Sequence, residues 1–211
     1  MRQLILHSLG IALLLLVALS LAGETIAEAQ VNLNARLQGE YAFTEARTCV
    51  QSSAGFGGSS GLELLPIPSG GFLSRSAFSS RGIARFNGDG TGTSTGRTTS
   101  INLNVGPPGI PVSESTFTSD FTYSVGADGS VSSQRTSTFV IVAGSGQGNT
   151  GTVTGFQGRS QIVQANTSVL FGNADEPVVE TVTFTTPAGV TTTFFRICVR
   201  SGTTSKLGRS R

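Results

Sequence analysis

Apolar and polar residues alternate along much of this chain, with the two-residue period of a half-buried β-strand. The clearest run is 113–125. Phe117, Phe121, Tyr123 and Val125 fall on one face, and Thr118, Asp120, Thr122 and Ser124 on the other. Comparable runs occupy 38–50, 72–87, 91–105, 130–142, 150–156, 160–171, 177–186 and 190–200. Turn sequences separate them: Asn87-Gly88-Asp89-Gly90, Asp128-Gly129 and Thr186-Pro187-Ala188-Gly189. Gly106-Pro107-Pro108-Gly109 breaks the chain between two of the runs. Beyond the N-terminal segment no stretch has a convincing helical period. The pattern predicts an all-β fold of eight or nine strands. We read it as a single antiparallel up-and-down barrel of about eight strands, with a β-sandwich as the alternative.

Shifting a hairpin by one residue exchanges its faces, so apolar matching predicts register. In the hairpin around Asn87-Gly88, Phe78, Ala84 and Phe86 share a parity. Ile101, Leu103 and Val105 meet them only if paired numbers sum to an odd value. That register sends Arg75, Arg81 and Arg85 outward and places Arg97 on the apolar side. In the last hairpin, Pro187 and Gly189 suit a three-residue loop with a G1 bulge. Pairing Thr186 with Val190 sets Glu180 opposite Arg196 and Val182 opposite Phe194. Both faces of this hairpin are partly apolar, so which one points inward stays open.

Cysteine placement sharpens the architecture. Cys49 and Cys198 are the two cysteines of the chain, on its first and last predicted strands. A disulfide between them requires those strands to be neighbours, as they are when a sheet closes into a barrel. Between the first two long strands, 51–71 reads as a Gly/Ser-rich loop. It carries Leu62, Leu64, Leu65 and Ile67, pinned by Pro66 and Pro68. Loops of this length are unusual without a role, and a lid over the barrel mouth fits its apolar content.

Residues 1–29 read as a signal peptide: Arg2, an apolar core, and Ala27-Glu28-Ala29 as cleavage site. A retained membrane anchor is the competing reading of that segment. Export to an oxidising periplasmic or extracellular compartment agrees with a disulfide. Residues 30–204 form the β-barrel domain in this reading, and 205–211 a basic flexible tail. Of the 211 residues 12% are charged, and the net charge is +2. The excess sits mostly in Lys206, Arg209 and Arg211, so no nucleic-acid surface is expected. No second apolar run is long enough to span a bilayer as a helix. A membrane-spanning barrel lacks its aromatic girdles, with no Trp and two Tyr.

Catalytic and cofactor motifs do not survive inspection. Gly92-Thr93-Ser94-Thr95-Gly96 has the spacing of a nucleophile elbow but lies on a strand after a hairpin turn. The single histidine, His7, leaves with the signal peptide, which removes Ser–His and Cys–His chemistry and His-ligated metal. Gly146-Gln147-Gly148-Asn149-Thr150-Gly151 precedes a strand rather than the helix a dinucleotide site needs. Asn87-x-Asp89-x-Thr91 opens like a calcium loop, but Thr98 stands where the bidentate Glu belongs. Asn166-Thr167-Ser168 is a glycosylation sequon within a predicted strand. No catalytic residue, metal ligand or cofactor is assigned. The candidate ligand-binding residues are Arg97, Glu180, Arg196, Phe194, Tyr123 and Leu64. Glu180 with Arg196 is the pair of most interest, either as a structural ion pair or as a polar anchor inside the barrel.

Several short motifs form a set: Gly39-x-Tyr41-Ala42-Phe43 before a Cys, Phe86-Asn87-Gly88-Asp89-Gly90-Thr91-Gly92, Asp120-Phe121-x-Tyr123, Glu180-Thr181-Val182-Thr183-Phe184 and Arg196-Ile197-Cys198. In these the chain resembles uncharacterised secreted bacterial β-proteins, over most of its length after the leader. The resemblance implies an exported β-fold and no particular reaction. In shape the expected barrel is also similar to lipocalins and other calycins, without their Gly-x-Trp signature. Two functions remain open. One is a non-catalytic binder of a small apolar ligand under the 51–71 loop. The other is an envelope or surface interaction protein with a side-chain-filled barrel.

Overall fold

The computed structural model describes residues 33–104, 111–164, 168–172 and 178–208. The signal segment 1–29, the break at 106–109, Asn166 and Thr167 of the sequon and the end of the tail at 209–211 lie outside the described residues. The chain forms β1 (Gln38–Ser52), two short strands β2 (Phe56–Gly57) and β3 (Glu63–Leu64), β4 (Leu73–Asn87) and β5 (Thr91–Asn102). These are followed by β6 (Val112–Val125), β7 (Ser130–Gly144), β8 (Thr150–Gln164), β9 (Ser168–Gly172), β10 (Val179–Thr185) and β11 (Thr191–Lys206). Among the described residues no helix is long and apolar enough to cross a membrane.

The long strands pair in antiparallel sequence order, and β11 returns to pair with β1. β9 and β10 share one position of the ring. Both lie between β8 and β11, β10 toward one end and β9 toward the other. The result is an up-and-down barrel of eight positions. The β1–β11 seam sets Cys49 opposite Cys198, and the two are disulfide-bonded.

Three details depart from the sequence reading. First, β4 pairs with β5 in an even-sum register, Ala84 with Ser94 and Phe78 with Ser100. Asn87 and Thr91 flank a three-residue turn in which Gly88 and Gly90 both take positive φ, 86° and 95°. The inner face of β5 is therefore Gly92, Ser94, Gly96, Thr98 and Ser100, while Ile101 faces outward. Apolar matching fails because β6 supplies the bulk. Phe117 and Phe121 lie over Gly96 and Gly92, where a Cβ would come within 2.9 and 2.3 Å of their rings. Second, the expected strands 150–156 and 160–171 are divided elsewhere. β8 runs unbroken to Gln164 because Gly155, at φ 79°, absorbs a bulge. Third, β11 continues to Lys206, with Ser205 opposite Ala42, so the start of the expected tail belongs to the sheet.

One end of the barrel is sealed. Leu37 and Tyr41 are wholly buried there with Phe86, Tyr123, Val125 and Val131. Phe86 makes edge-to-face contacts with Tyr41, Phe121 and Tyr123, centroids 5.0–5.1 Å apart, each worth about 0.5–1.5 kcal/mol beyond the area it hides. The Tyr123 hydroxyl donates to the Leu37 carbonyl at 2.7 Å and accepts from the Gly88 N–H at 3.0 Å. It thereby ties the segment preceding β1 across the barrel floor.

Candidate functional site

Alternation carries every second residue into the lumen, and the lumen divides into layers. Above the sealed end lies a belt of charge. β1 contributes Glu45 and Arg47, β7 Arg135, β10 Glu180, and β11 Arg196 and Arg200. Cys49 and Cys198 both point inward, and these β1 and β11 residues share their parities. Arg196 Nε donates to Glu180 Oε2 at 2.7 Å. Arg200 contacts Glu180 through Nη2 and donates from Nη1 to Glu45 Oε1 at 3.3 Å. Arg47 and Arg135 approach Glu45 only to 3.8 Å.

Two phenylalanines are interleaved among the cations. Phe78 lies beneath the guanidiniums of Arg47 and Arg196, at 4.6 and 5.4 Å. Phe156 does the same for Arg135 and Arg200, at 4.1 and 4.3 Å. Such ring contacts offset part of the desolvation of a buried cation.

Among the described residues, four guanidiniums thus surround two carboxylates, leaving two positive charges in excess. Burial disfavours the charged forms. It pulls Arg47 down to about 9 and Arg196 down to about 10, and it lowers Arg135 as well. Arg200 is lowered too, and as guanidiniums, which do not deprotonate in proteins, all four stay cationic at neutral pH. Burial alone would raise the Glu45 carboxyl, but Arg47, Arg200 and Arg135 reverse this and hold it below its ordinary value.

Above the belt the barrel is hollow. A cavity of about 600 Å³ opens toward the end carrying the 53–72 connection. Its two sides differ in chemistry. β4, β5 and β6 present short hydroxyl side chains, among them Ser76, Ser80, Ser100 and Ser115. Most bond to one another or to the sheet, as in Ser80–Thr98 at 2.8 Å and Ser100–Ser113 at 2.7 Å, and Ser76 donates to Gln51 Oε1 at 3.4 Å. Opposite them stand Phe139, Val153, Val182, Phe184 and Phe194. Phe184 stacks on Phe194 at 5.6 Å and meets Phe139 edge-on at 5.0 Å. The belt forms the floor. Beneath it, toward the sealed end, is a void of about 60 Å³.

The residues singled out from sequence are scattered over this arrangement. Glu180, Arg196 and Phe194 line the cavity, and the first two pair as the last hairpin's register requires. Tyr123 lies in the sealed end. Arg97 is on the outer face, 60% exposed, and donates to Glu114 at 3.1 Å. Leu64 is 44% exposed on β3 and does not line the cavity. From the same connection Phe72 enters the mouth, edge-on to Phe194 at 5.6 Å. Sequence reasoning missed Glu45, Arg47, Arg135 and Arg200. The parity of the two cysteines, once taken as inward, would have found three of them.

The turn sequences do local work. Asp89 accepts from both the N–H and the hydroxyl of Thr91, at 2.8 and 2.7 Å, within its hairpin. Ser94 of the elbow-like motif is buried on the inner face of β5.

Fold and site together define an up-and-down barrel, sealed at one end and hollow at the other, with a cationic floor to the hollow. No protein-family model matches the chain, and no curated protein sequence is significantly similar. Among solved structures it is similar to Neisserial surface protein A (NspA), at 13% identity and a TM-score of 0.47. The match covers 81% of this chain and 98% of that one.

Proposed function

We propose that this chain is an exported, non-catalytic barrel that holds a small, largely apolar molecule in the open half of its lumen. The observation that carries the reading is the cavity of about 600 Å³. It falls within the roughly 300–1,000 Å³ of ligand sites, and it is open at one end with aromatic side chains on one side. Export is supported by the leader-like segment 1–29 and by the Cys49–Cys198 bond, which suits an oxidising compartment. The absence of catalysis is supported by Glu45 and Glu180, the two lumen carboxylates among the described residues, both engaged by arginines. The outer face carries many threonines and serines with Arg75, Arg81, Arg85 and Arg97, beside exposed Val50, Ile83, Val140 and Val199. The neutral dye N-phenyl-1-naphthylamine should bind saturably, one molecule per chain. Non-saturable binding, or none, contradicts the reading.

A second reading, an envelope or surface interaction protein, is supported by a different observation. Leu64, Leu65 and Ile67 stand exposed together beside the mouth. In this reading the connection meets a partner rather than covering the cavity. Replacing all three with Ser would then abolish surface association and leave dye binding unchanged.

A further inference from the structure

We propose that the lumen ligand is an amphipathic anion, with its charged head on Arg47 and Arg135 and its apolar body along the Phe184–Phe194 side. This deepens the proposed function and rests on it. Within the belt the four arginines are not equivalent. Arg196 and Arg200 each donate a hydrogen bond to a carboxylate. Arg47 and Arg135 have only the 3.8 Å approaches to Glu45, a carboxylate already bonded to Arg200. The Nε of each is buried without a hydrogen-bond partner, as is that of Arg200, so what sets Arg47 and Arg135 apart is that they donate no hydrogen bond to either carboxylate. Both side chains line the cavity floor.

A buried cation is costly when its partners do not repay its desolvation. Here two excess cations sit where the hollow meets its floor, and each presents guanidinium N–H groups suited to a planar or tetrahedral oxyanion. A bound anion would supply the missing charge and acceptors together. A neutral apolar ligand would leave both uncompensated. The hydroxyl side adds donors around the head without adding charge. Carboxylate and phosphate heads share this chemistry.

The test uses two dyes with closely related aromatic bodies, the anionic 1-anilinonaphthalene-8-sulfonate and the neutral N-phenyl-1-naphthylamine. Arg47→Gln and Arg135→Gln should each weaken the anionic dye about tenfold or more, the scale of a lost charge-assisted hydrogen bond. The neutral dye should change less than twofold. Arg81→Gln, on the outer face, should leave both unchanged. Thermal midpoints of the empty Arg47 and Arg135 variants should equal or exceed the parent's, which a purely structural arginine would not permit. Dodecanoate and dodecyl phosphate then compete for the anionic dye, and the one acting at lower concentration identifies the head group. Dodecanol should not compete in that range. Equal loss of both dyes in the Gln variants, or dodecanol competing as well as dodecanoate, overturns the anion assignment alone. Failure of both dyes to bind the parent overturns the cavity reading with it.

Discussion

The two halves of the barrel share the same eight positions and the same alternation, yet one is filled and the other hollow. The sealed half is packed with rings: Tyr41, Phe86, Phe121 and Tyr123 interlock over Leu37. In the hollow half, several strands carry serine at equivalent inward positions, and the rings gather mostly on the side of Phe139, Phe184 and Phe194. An eight-position barrel is just wide enough for side chains to fill or for a small ligand to enter. Which outcome occurs is decided residue by residue, by whether the side chain opposite an aromatic ring is another ring or a hydroxymethyl group. The charged belt marks the transition.

Four perturbations would break or sharpen this comparison. The largest effect is expected at the seam. Cys49–Cys198 lies within the belt, between Arg200 and Arg196 on β11 and two residues from Arg47 on β1, and its partners are 149 residues apart. Replacing both with Ser should cost up to about 5 kcal/mol on the chain-entropy model, read by urea denaturation. A loss near zero would mean that the hollow half is held by its hydrogen-bonded ladder alone.

Next in size is Phe86→Ala, expected to cost about 3–5 kcal/mol because it opens an enclosed void in the sealed half. Phe194→Ala should cost clearly less, since its space joins a cavity that already exists. Equal losses would remove the distinction between the halves.

The belt predicts a pH dependence. Glu45 titrates below its ordinary value in the folded protein, so the folded state prefers the charged carboxylate. That contribution is fully present above the ordinary carboxylate pKa. It fades as pH falls through the folded value, because the unfolded chain then takes up the proton first. Urea midpoints of the parent should therefore drop on acidification below about pH 4.5, the ordinary Glu value. Glu45→Gln should flatten this limb. It should also be less stable at neutral pH, where Arg47, Arg135 and Arg200 lose their shared counter-charge. An unchanged acid limb in that variant would place the titration elsewhere.

The smallest stability change should come from Ser100→Phe, which fills hollow space. A shift within about 1 kcal/mol is expected, below the usual 1–3 kcal/mol of overpacking, together with loss of dye binding. Ser94→Phe, at a buried position nearer the sealed end, should be severely destabilising.

Much of the scaffold was legible in the sequence. Period-two runs and turn sequences gave the strands. Cysteines on the first and last strands implied the closed ring, and Thr186-Pro187-Ala188-Gly189 set the register that joins Glu180 to Arg196. The β4–β5 register was not legible by apolar matching, because the inner face of β5 is Gly, Ser and Thr and its volume comes from rings on β6. The belt was hidden for a related reason. Its members come from four strands, spaced from Glu45 to Arg200, and no local motif unites them. Arg97 was placed inside by the odd-sum register and stands outside by the even one. The hollow itself has no sequence signature beyond inward serines, which read equally well as solvent-facing.

The central claim is that a ligand enters one half of this barrel and not the other. Intermolecular NOEs between bound 1-anilinonaphthalene-8-sulfonate and the aromatic protons of the protein test it directly. The account predicts contacts to Phe139, Phe184 and Phe194 and none to Phe86 or Tyr123. Contacts confined to the outer face, or to the Phe86–Tyr123 cluster, would contradict it.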